Sequence, residues 1–301
     1  MRSVAFQYHA PRSLDEALVT LAQVAAEDGR IIAGGQSLVP TMAFRFVRPG
    51  HLVDINRVAG LDRLHAEAST VPGRTAASEL VIGATVRHAA FHRPVLAGPL
   101  GPLLTEVASH IAHYPIRMRG TFCGSLAHAD PASEWCLVAS TLDARLVLRS
   151  VRGERILEAD EFFTGVMSTA IEPDELLVEA RIPIPNPGVR LGFDEFSRRR
   201  GDFALAMALV SLECVDGRVR SPRIGVSGVE DRPRRIAEAE ALLDGRIPAD
   251  DLFRAVARAA AAAVDPLEQP QLPAIYRREL VESSVRRALE RAWGPTGHGA
   301  R

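Results

Sequence analysis

Hydrophobic positions recur along the chain with two different periods, and the change from one to the other marks out its elements. Leu14, Ala17, Leu18, Leu21, Ala22 and Ala25 fall three and four apart, the stripe of an amphipathic helix. Ser13 and Glu16 form a capping-box pattern ahead of it, and Asp28-Gly29 stops it, so a helix is predicted to about Ala26. Short apolar runs near Phe6, Ile31 and Val53 read as strands, and 38–46 reads as a helix closed by Pro49-Gly50. The first 55 or so residues thus alternate as β, α, β, loop, α, β. Further strands are predicted at 79–83, 144–148 and 175–180, with helical patches at 86–91, 100–112 and 131–142. Asp130 is the predicted N-cap of the last patch, with Pro131 at its first position and Glu134 in its first turn.

Beyond Pro183, Pro185, Pro187 and Gly188 the plan changes, and this stiff segment is the predicted domain boundary. Two long strands, 203–214 and 220–229, flank the hairpin signal Asp216-Gly217. Helices are predicted at 236–243, 250–264 and 275–293. In the last, Leu280, Ser284 and Ala288 join Val281, Val285, Leu289 and Ala292 in an apolar face. The alanine run 255–263 reads as a helix packed closely on a neighbour, and 294–301 as a loose tail.

Composition narrows the class. The chain has 301 residues, long enough for two domains, and is 47% hydrophobic and 24% charged. Its 36 basic residues, all arginine, nearly balance 37 acidic ones, so no global charge draws it to nucleic acid or an anionic membrane. The absence of lysine reads as genome composition. No long apolar run opens the chain, so neither a signal peptide nor a membrane span is expected. Three scattered cysteines, Cys123, Cys136 and Cys214, suit a reducing compartment, and a cytoplasmic protein is the expectation. They are too few for an iron–sulfur cluster, and His110, His113 and His128 match no zinc spacing.

Two stretches carry candidate chemistry. Ala33-Gly34-Gly35-Gln36-Ser37 lies between a β run and a helix, where backbone N–H groups and one hydroxyl can wrap a phosphate or simply form a tight turn. It is not a G-x-G-x-x-G fingerprint or a Walker A loop, and Val39 rules out a hydrolase elbow. In the second stretch Gly120, Thr121, Cys123, Gly124 and Ser125 are small enough to let main chain approach a ligand. Asp130–Glu134 then opens an apolar helix, either an anion site or an ordinary cap. Together the two stretches suggest a pyrophosphate held from two sides.

The pair resembles the FAD-binding medium subunit of the molybdenum hydroxylases, the family of carbon monoxide dehydrogenase and xanthine dehydrogenase. That family's signatures are Ala-Gly-Gly-His/Gln-Ser, then Thr-x-Gly-Gly-Asn followed by Asp-Pro-x-x-Asp. Here they correspond to Ala33–Ser37, Thr121–Ser125 and Asp130–Glu134, and the likeness continues through 181–185, 199–203, 224–226 and 276–278. The resemblance implies an α+β chain. A vanillyl-alcohol-oxidase-like FAD-binding domain at 1–178 has subdomains 1–57 and 58–178, with the dinucleotide between them. A C-terminal domain of the CO dehydrogenase flavoprotein type follows at 179–290, covering the flavin side, and 291–301 is a tail.

It further implies FAD held by Ala33, Gly34, Gly35, Gln36, Ser37 and Leu38, by Thr121, Cys123, Gly124 and Ser125, and by Asp130, Glu134, Ile182 and Phe203. No residue is implied as acid, base or nucleophile. The implied partners are a small subunit with two [2Fe–2S] clusters and a large subunit with the molybdenum cofactor, assembled as a dimer of heterotrimers. Electrons would pass from the nearer cluster through this chain to NAD, a quinone, oxygen or another acceptor. A self-contained FAD oxidoreductase and a non-catalytic nucleotide-binding assembly subunit are the alternatives.

Three positions depart from the family pattern. Cys123 replaces the first of two glycines; if that position needs φ > 0, it costs roughly 1–2 kcal/mol. Micromolar binding is worth about 8 kcal/mol, so weakened FAD binding is the expectation. Ser125 replaces Asn with a shorter reach, and Glu134 replaces Asp with a longer arm toward the ribose or adenine end. Phe203 is either an aromatic against the isoalloxazine or a core residue of a strand. Arg117 and Arg119 are candidates to neutralise pyrophosphate. Arg198, Arg199 and Arg200 would stabilise reduced flavin, meet a partner or form a solvated turn.

Overall fold

The structure, a computed structural model, describes residues 4–69 and 78–294. The predicted tail beyond residue 294 lies outside the described residues. In chain order the first elements are β1 (Gln7–His9), α1 (Leu14–Val24), β2 (Gly29–Ile32), α2 (Leu38–Ala43), β3 (His51–Asp54), β4 (Leu64–Ala68) and β5 (Ser78–Gly83). Next come α3 (Leu100–His110), α4 (Tyr114–Arg117), α5 (Phe122–His128), α6 (Glu134–Thr141), β6 (Arg145–Ser150), β7 (Gly153–Glu158) and α7 (Ala159–Phe162). Then follow β8 (Phe163–Gly165), β9 (Ser168–Thr169), β10 (Leu176–Pro183), β11 (Arg190–Ser197), β12 (Ala204–Val215), β13 (Arg218–Ser227) and β14 (Arg234–Arg235). Helices α8 (Ala237–Leu243), α9 (Asp250–Ala263) and α10 (Ala274–Trp293) close the described chain.

Two compact units emerge. One comprises Met1–Ala90, His113–Ala129 and Ala144–Pro183; the other comprises Phe91–Ala112, Asp130–Asp143 and Ile184–Arg301. This differs from a single cut near residue 178. The second unit draws in α3 and α6 because they pack on its own strands, α3 on β11 and α6 on β12 and β13.

In the first unit, β1, β3 and β2 form a parallel sheet in that order. Helix α1 buries Ala17, Leu18, Leu21 and Val24 in one cluster with Val53 and Ile55, so its stripe does what the spacing predicts. Its cap forms with a shift. Ser13 Oγ accepts the Glu16 N–H at 3.2 Å, but the Glu16 carboxylate accepts from Arg12 N at 2.8 Å, one residue earlier than a capping box. Asp28, with φ of 54°, ends the segment in the left-handed region. A five-stranded antiparallel sheet follows, in the order β4-β5-β10-β6-β7.

Two local predictions are corrected here. Residues 122–128 are helix α5, not loop, because Thr121 is extended and its Oγ1 accepts the Gly124 N–H at 3.1 Å. Helix α6 is capped at Ser133, not Asp130. The Asp130 carboxylate accepts the Ala132 N–H at 2.9 Å, a turn that competes with helix formation and delays it by three residues. The predicted helices at 86–91 and 38–46 shrink to a 3₁₀ segment at His88–His92 and to α2, respectively.

In the second unit, β11-β12-β13-β14 form an antiparallel sheet. Asp216 and Gly217, both left-handed, turn β12 into β13 as their sequence predicts. Ala206, Ala208, Val210 and Leu212 of β12 join residues of α8, α9 and α10 in one core. The alternate residues Met207 and Leu209 are buried as well, which explains why β12 reads as a continuous apolar run. The predicted apolar face of α10 is buried in full.

Candidate functional site

The first unit brings the two candidate stretches together. A β-carbon on Gly34 would stand 2.4 Å from the carbonyl oxygen of Arg119 and 2.6 Å from Gly120 Cα. Only glycine lets the two main chains meet there. Beyond it Gly35 turns through a positive φ of 70°, and Gln36 Nε2 folds back to donate to Gly34 O at 2.9 Å. Ser37 is exposed at the N-cap of α2 and makes no side-chain capping bond. Leu38 begins α2 half-buried.

The second stretch is shaped by its cap. A β-carbon on Gly124 would come within 2.5 Å of Thr121 Oγ1, the oxygen that accepts the Gly124 N–H. Cys123 has ordinary helical geometry inside α5 and is absent from the left-handed residues. The strain expected for it therefore does not arise. Its side chain is buried, with Sγ 3.4 Å from the Ile82 carbonyl oxygen, and burial pushes the thiol pKa up. Only its main chain is left to face a ligand. Ser125 donates its N–H to Thr121 O at 3.1 Å, within the helix. Ile182 is fully buried in β10.

Positive charge gathers beside the meeting point, where Arg117, Arg119 and Arg87 occur within the same unit. His88, which the sequence did not single out, donates its main-chain N–H to Gly120 O at 3.0 Å. A β-carbon on Gly120 would lie 2.5 Å from His88 Nε2. Burial, and then Arg117 and Arg87, hold the imidazole neutral, its pKa lowered to about 3.

The second unit holds Asp130, Glu134 and Phe203. The Pro131 carbonyl accepts from Ser227 Oγ at 2.6 Å and from Gly228 N at 2.9 Å, tying the Asp130 turn to the end of β13. Glu134 is buried in the first turn of α6. Burial above all, then Glu195 and Asp130, raise its pKa to about 8. The Glu195 side chain is itself buried; its two oxygens have no hydrogen-bond partner, and His110 Nδ1 lies 3.6 Å from one of them. Phe203 is 74% exposed just before β12, which removes the core-aromatic alternative. Arg198, Arg199 and Arg200 are exposed, and Arg199 Nε pairs with Asp202 Oδ2 at 3.1 Å.

Among the described residues no three His, Cys, Asp or Glu side chains gather as a metal site, and no helix is long and apolar enough to cross a membrane. The first unit's turns do fit a diphosphate. Two stretches of main chain approach with no side chain between them, beside arginines and a neutral histidine.

The chain is similar to known proteins along nearly its whole length. Residues 4–185 match the family model of the FAD binding domain in molybdopterin dehydrogenase, and residues 192–292 match the CO dehydrogenase flavoprotein C-terminal domain. The nicotine 6-hydroxylase medium subunit of Paenarthrobacter nicotinovorans is 36% identical, over 98% of this chain and 100% of its own length. The caffeine dehydrogenase subunit beta of Pseudomonas sp. (strain CBB1) is also 36% identical, over 97% of this chain and 96% of its own. Among solved structures, a carbon monoxide dehydrogenase from Hydrogenophaga pseudoflava that lacks its Mo-pyranopterin moiety superposes with a TM-score of 0.90. It is 34% identical and covers 99% of this chain and 100% of its own.

Proposed function

This chain belongs to the FAD-binding medium subunits of the molybdenum hydroxylases, and from that premise we propose that it is the electron-transfer subunit of such an enzyme. In this reading it docks with a small [2Fe–2S] subunit and a large molybdenum-cofactor subunit, as a dimer of heterotrimers in the cytoplasm. The chain relays electrons from the nearer cluster to an external acceptor. Bound FAD supplies chemistry that accepts single electrons and releases pairs.

The observation that carries the proposal is the approach of Gly34 to Arg119 and Gly120, which lines up main chain from two loops where the family signatures lie. The 34–37 turn and the 121–124 segment hold the diphosphate by main-chain N–H groups and the Ser37 hydroxyl. Arg117 and Arg119 offset its charge. Leu38 and the main chain of Cys123 and Ser125 complete the first unit's contribution. The family resemblance adds Asp130 and Glu134 as acceptors of cofactor hydroxyl groups and the exposed Phe203 as a cover for the flavin ring. Ile182 shapes the strand from inside. Domain limits of 1–178 and 179–290 belong to this proposal. Two relatives are named as subunits of a nicotine 6-hydroxylase and of a caffeine dehydrogenase, and in this reading the substrate of the complex is bound by its large subunit.

The test is an absorption spectrum of the purified chain, with the cofactor identified after acid release. A flavin spectrum with released FAD supports the proposal. A colourless chain that takes up no added FAD overturns it and favours a non-catalytic assembly subunit.

A further inference from the structure

The two glycine-bearing turns are each preceded by a carbonyl that another segment of the chain holds. Asn56 Nδ2 donates to the Ala33 oxygen, just before Gly34, at 2.7 Å. Arg87 donates through one terminal nitrogen to the Arg119 oxygen, just before Gly120, and through the other to Asn56 Oδ1 at 2.5 Å. Asn56 is itself fixed by Asp54, whose Oδ1 accepts the Asn56 main-chain N–H at 2.8 Å. Oδ2 of Asp54 accepts the Tyr8 hydroxyl at 2.5 Å. Arg87 is anchored in turn by an antiparallel bridge to Thr121, the cap of α5. A single polar chain thus runs from β1, through the end of β3 and the segment after β5, to both loops.

We propose that Asn56 and Arg87 are positioning residues that set the spacing of the two turns, and that they select for a ligand carrying a diphosphate. This rests on the FAD reading above. Asn56 Nδ2 is shared between the Ala33 oxygen and Asp54 Oδ1, and the two terminal nitrogens of Arg87 end on the Arg119 oxygen and on Asn56 Oδ1. Neither residue need touch the ligand; each acts through the carbonyl it holds.

Arginine suits the post because its planar fork spans two acceptors at once, whereas lysine presents a single ammonium. The charge also fits an anion. Arg87 is partly desolvated and faces the cationic Arg119, two effects that work against its protonated form, while Asp54 is the opposite charge acting on it. A diphosphate between the turns relieves that repulsion.

The test uses the full-length chain stripped of flavin. The dissociation constants of FAD and of ADP, which shares the diphosphate, are measured by titration, and the ligand-free melting temperature is recorded alongside. Arg87→Met and Asn56→Ala are each expected to raise both constants by about tenfold or more, since hydrogen bonds that involve a charged group are the stronger ones. Arg87→Lys is expected to fall between wild type and Arg87→Met. The double variant is expected to bind no worse than about the weaker single variant, because breaking either member releases the same brace. Folded variants that bind FAD and ADP as wild type does overturn the proposal. So do two losses that simply add, or a fall in melting temperature with unchanged affinity. A wild-type chain that binds neither ligand removes the FAD reading itself, an outcome separate from variants that match a binding wild type.

Discussion

The Cys123 thiol reaches the carbonyl oxygen of Ile82, 3.4 Å away, and so points into the first unit's core from a helical position. It fills a space that the family's glycine would leave empty. Cys123→Gly is therefore expected to destabilise the fold by about 1–2 kcal/mol, from lost helix propensity and a small cavity, without a gain in FAD affinity. Urea unfolding and an FAD titration of the variant check this.

Burial raises the thiol pKa of both Cys123 and Cys136, while Cys214 is only partly covered. In the native chain at pH 8, one thiol is expected to react quickly with a disulfide reagent and the other two only after unfolding. Rapid labelling of two or three cysteines in the folded protein would contradict this.

Gly34 leaves no room for a side chain against Arg119 and Gly120. Gly34→Ala must push these main-chain segments away from each other, at a cost of about 1–3 kcal/mol. The expected outcome is a folded chain that purifies with little flavin, measured as the ratio of visible to ultraviolet absorbance and by circular dichroism.

His88 is held neutral, with its pKa lowered to about 3 from 6.5. Below pH 6.5 the unfolded chain takes up a proton that the folded chain refuses. The stability this group contributes is thus complete above pH 6.5 and is lost as pH falls toward 3, on the order of a few kcal/mol over the window. Replacing it, as in His88→Gln, is expected to flatten the stability curve across that range, as followed by urea unfolding from pH 7 to pH 4.

Glu134 behaves with the opposite sign. Burial and the neighbouring Glu195 and Asp130 raise its pKa from 4.5 to about 8, so between those values the folded chain binds the extra proton. Stability from this group falls as pH rises from 4.5 to 8. Glu134→Gln keeps the shape without the titration. It is expected to be more stable than wild type at pH 8.5, and the difference should vanish near pH 4. An unchanged difference between the two pH values would count against this assignment of charge.

Much of this protein is legible in its sequence. Leu14 to Val24 and the face from Leu280 to Ala292 declare helices because their apolar spacing is local. Asp216-Gly217 declares a hairpin because both residues accept positive φ. The paired glycine stretches declare the family because their chemistry lies in short runs of small residues. Helix α5 escaped because Thr121, Gly124 and Ser125 are as typical of loops as of a capped first turn.

What only the tertiary structure decided are the relations that have no period. The brace joins Asn56 to Arg87 across 31 positions and Arg87 to Arg119 across 32. The second unit gathers 91–112 and 130–143 away from their sequence neighbours. Glu195 alters Glu134 from 61 residues along the chain. Local spacing determines which face of an element is buried. Which distant carbonyl, carboxylate or guanidinium then meets that face is settled by packing, and the charges and hydrogen bonds of the candidate site follow from it.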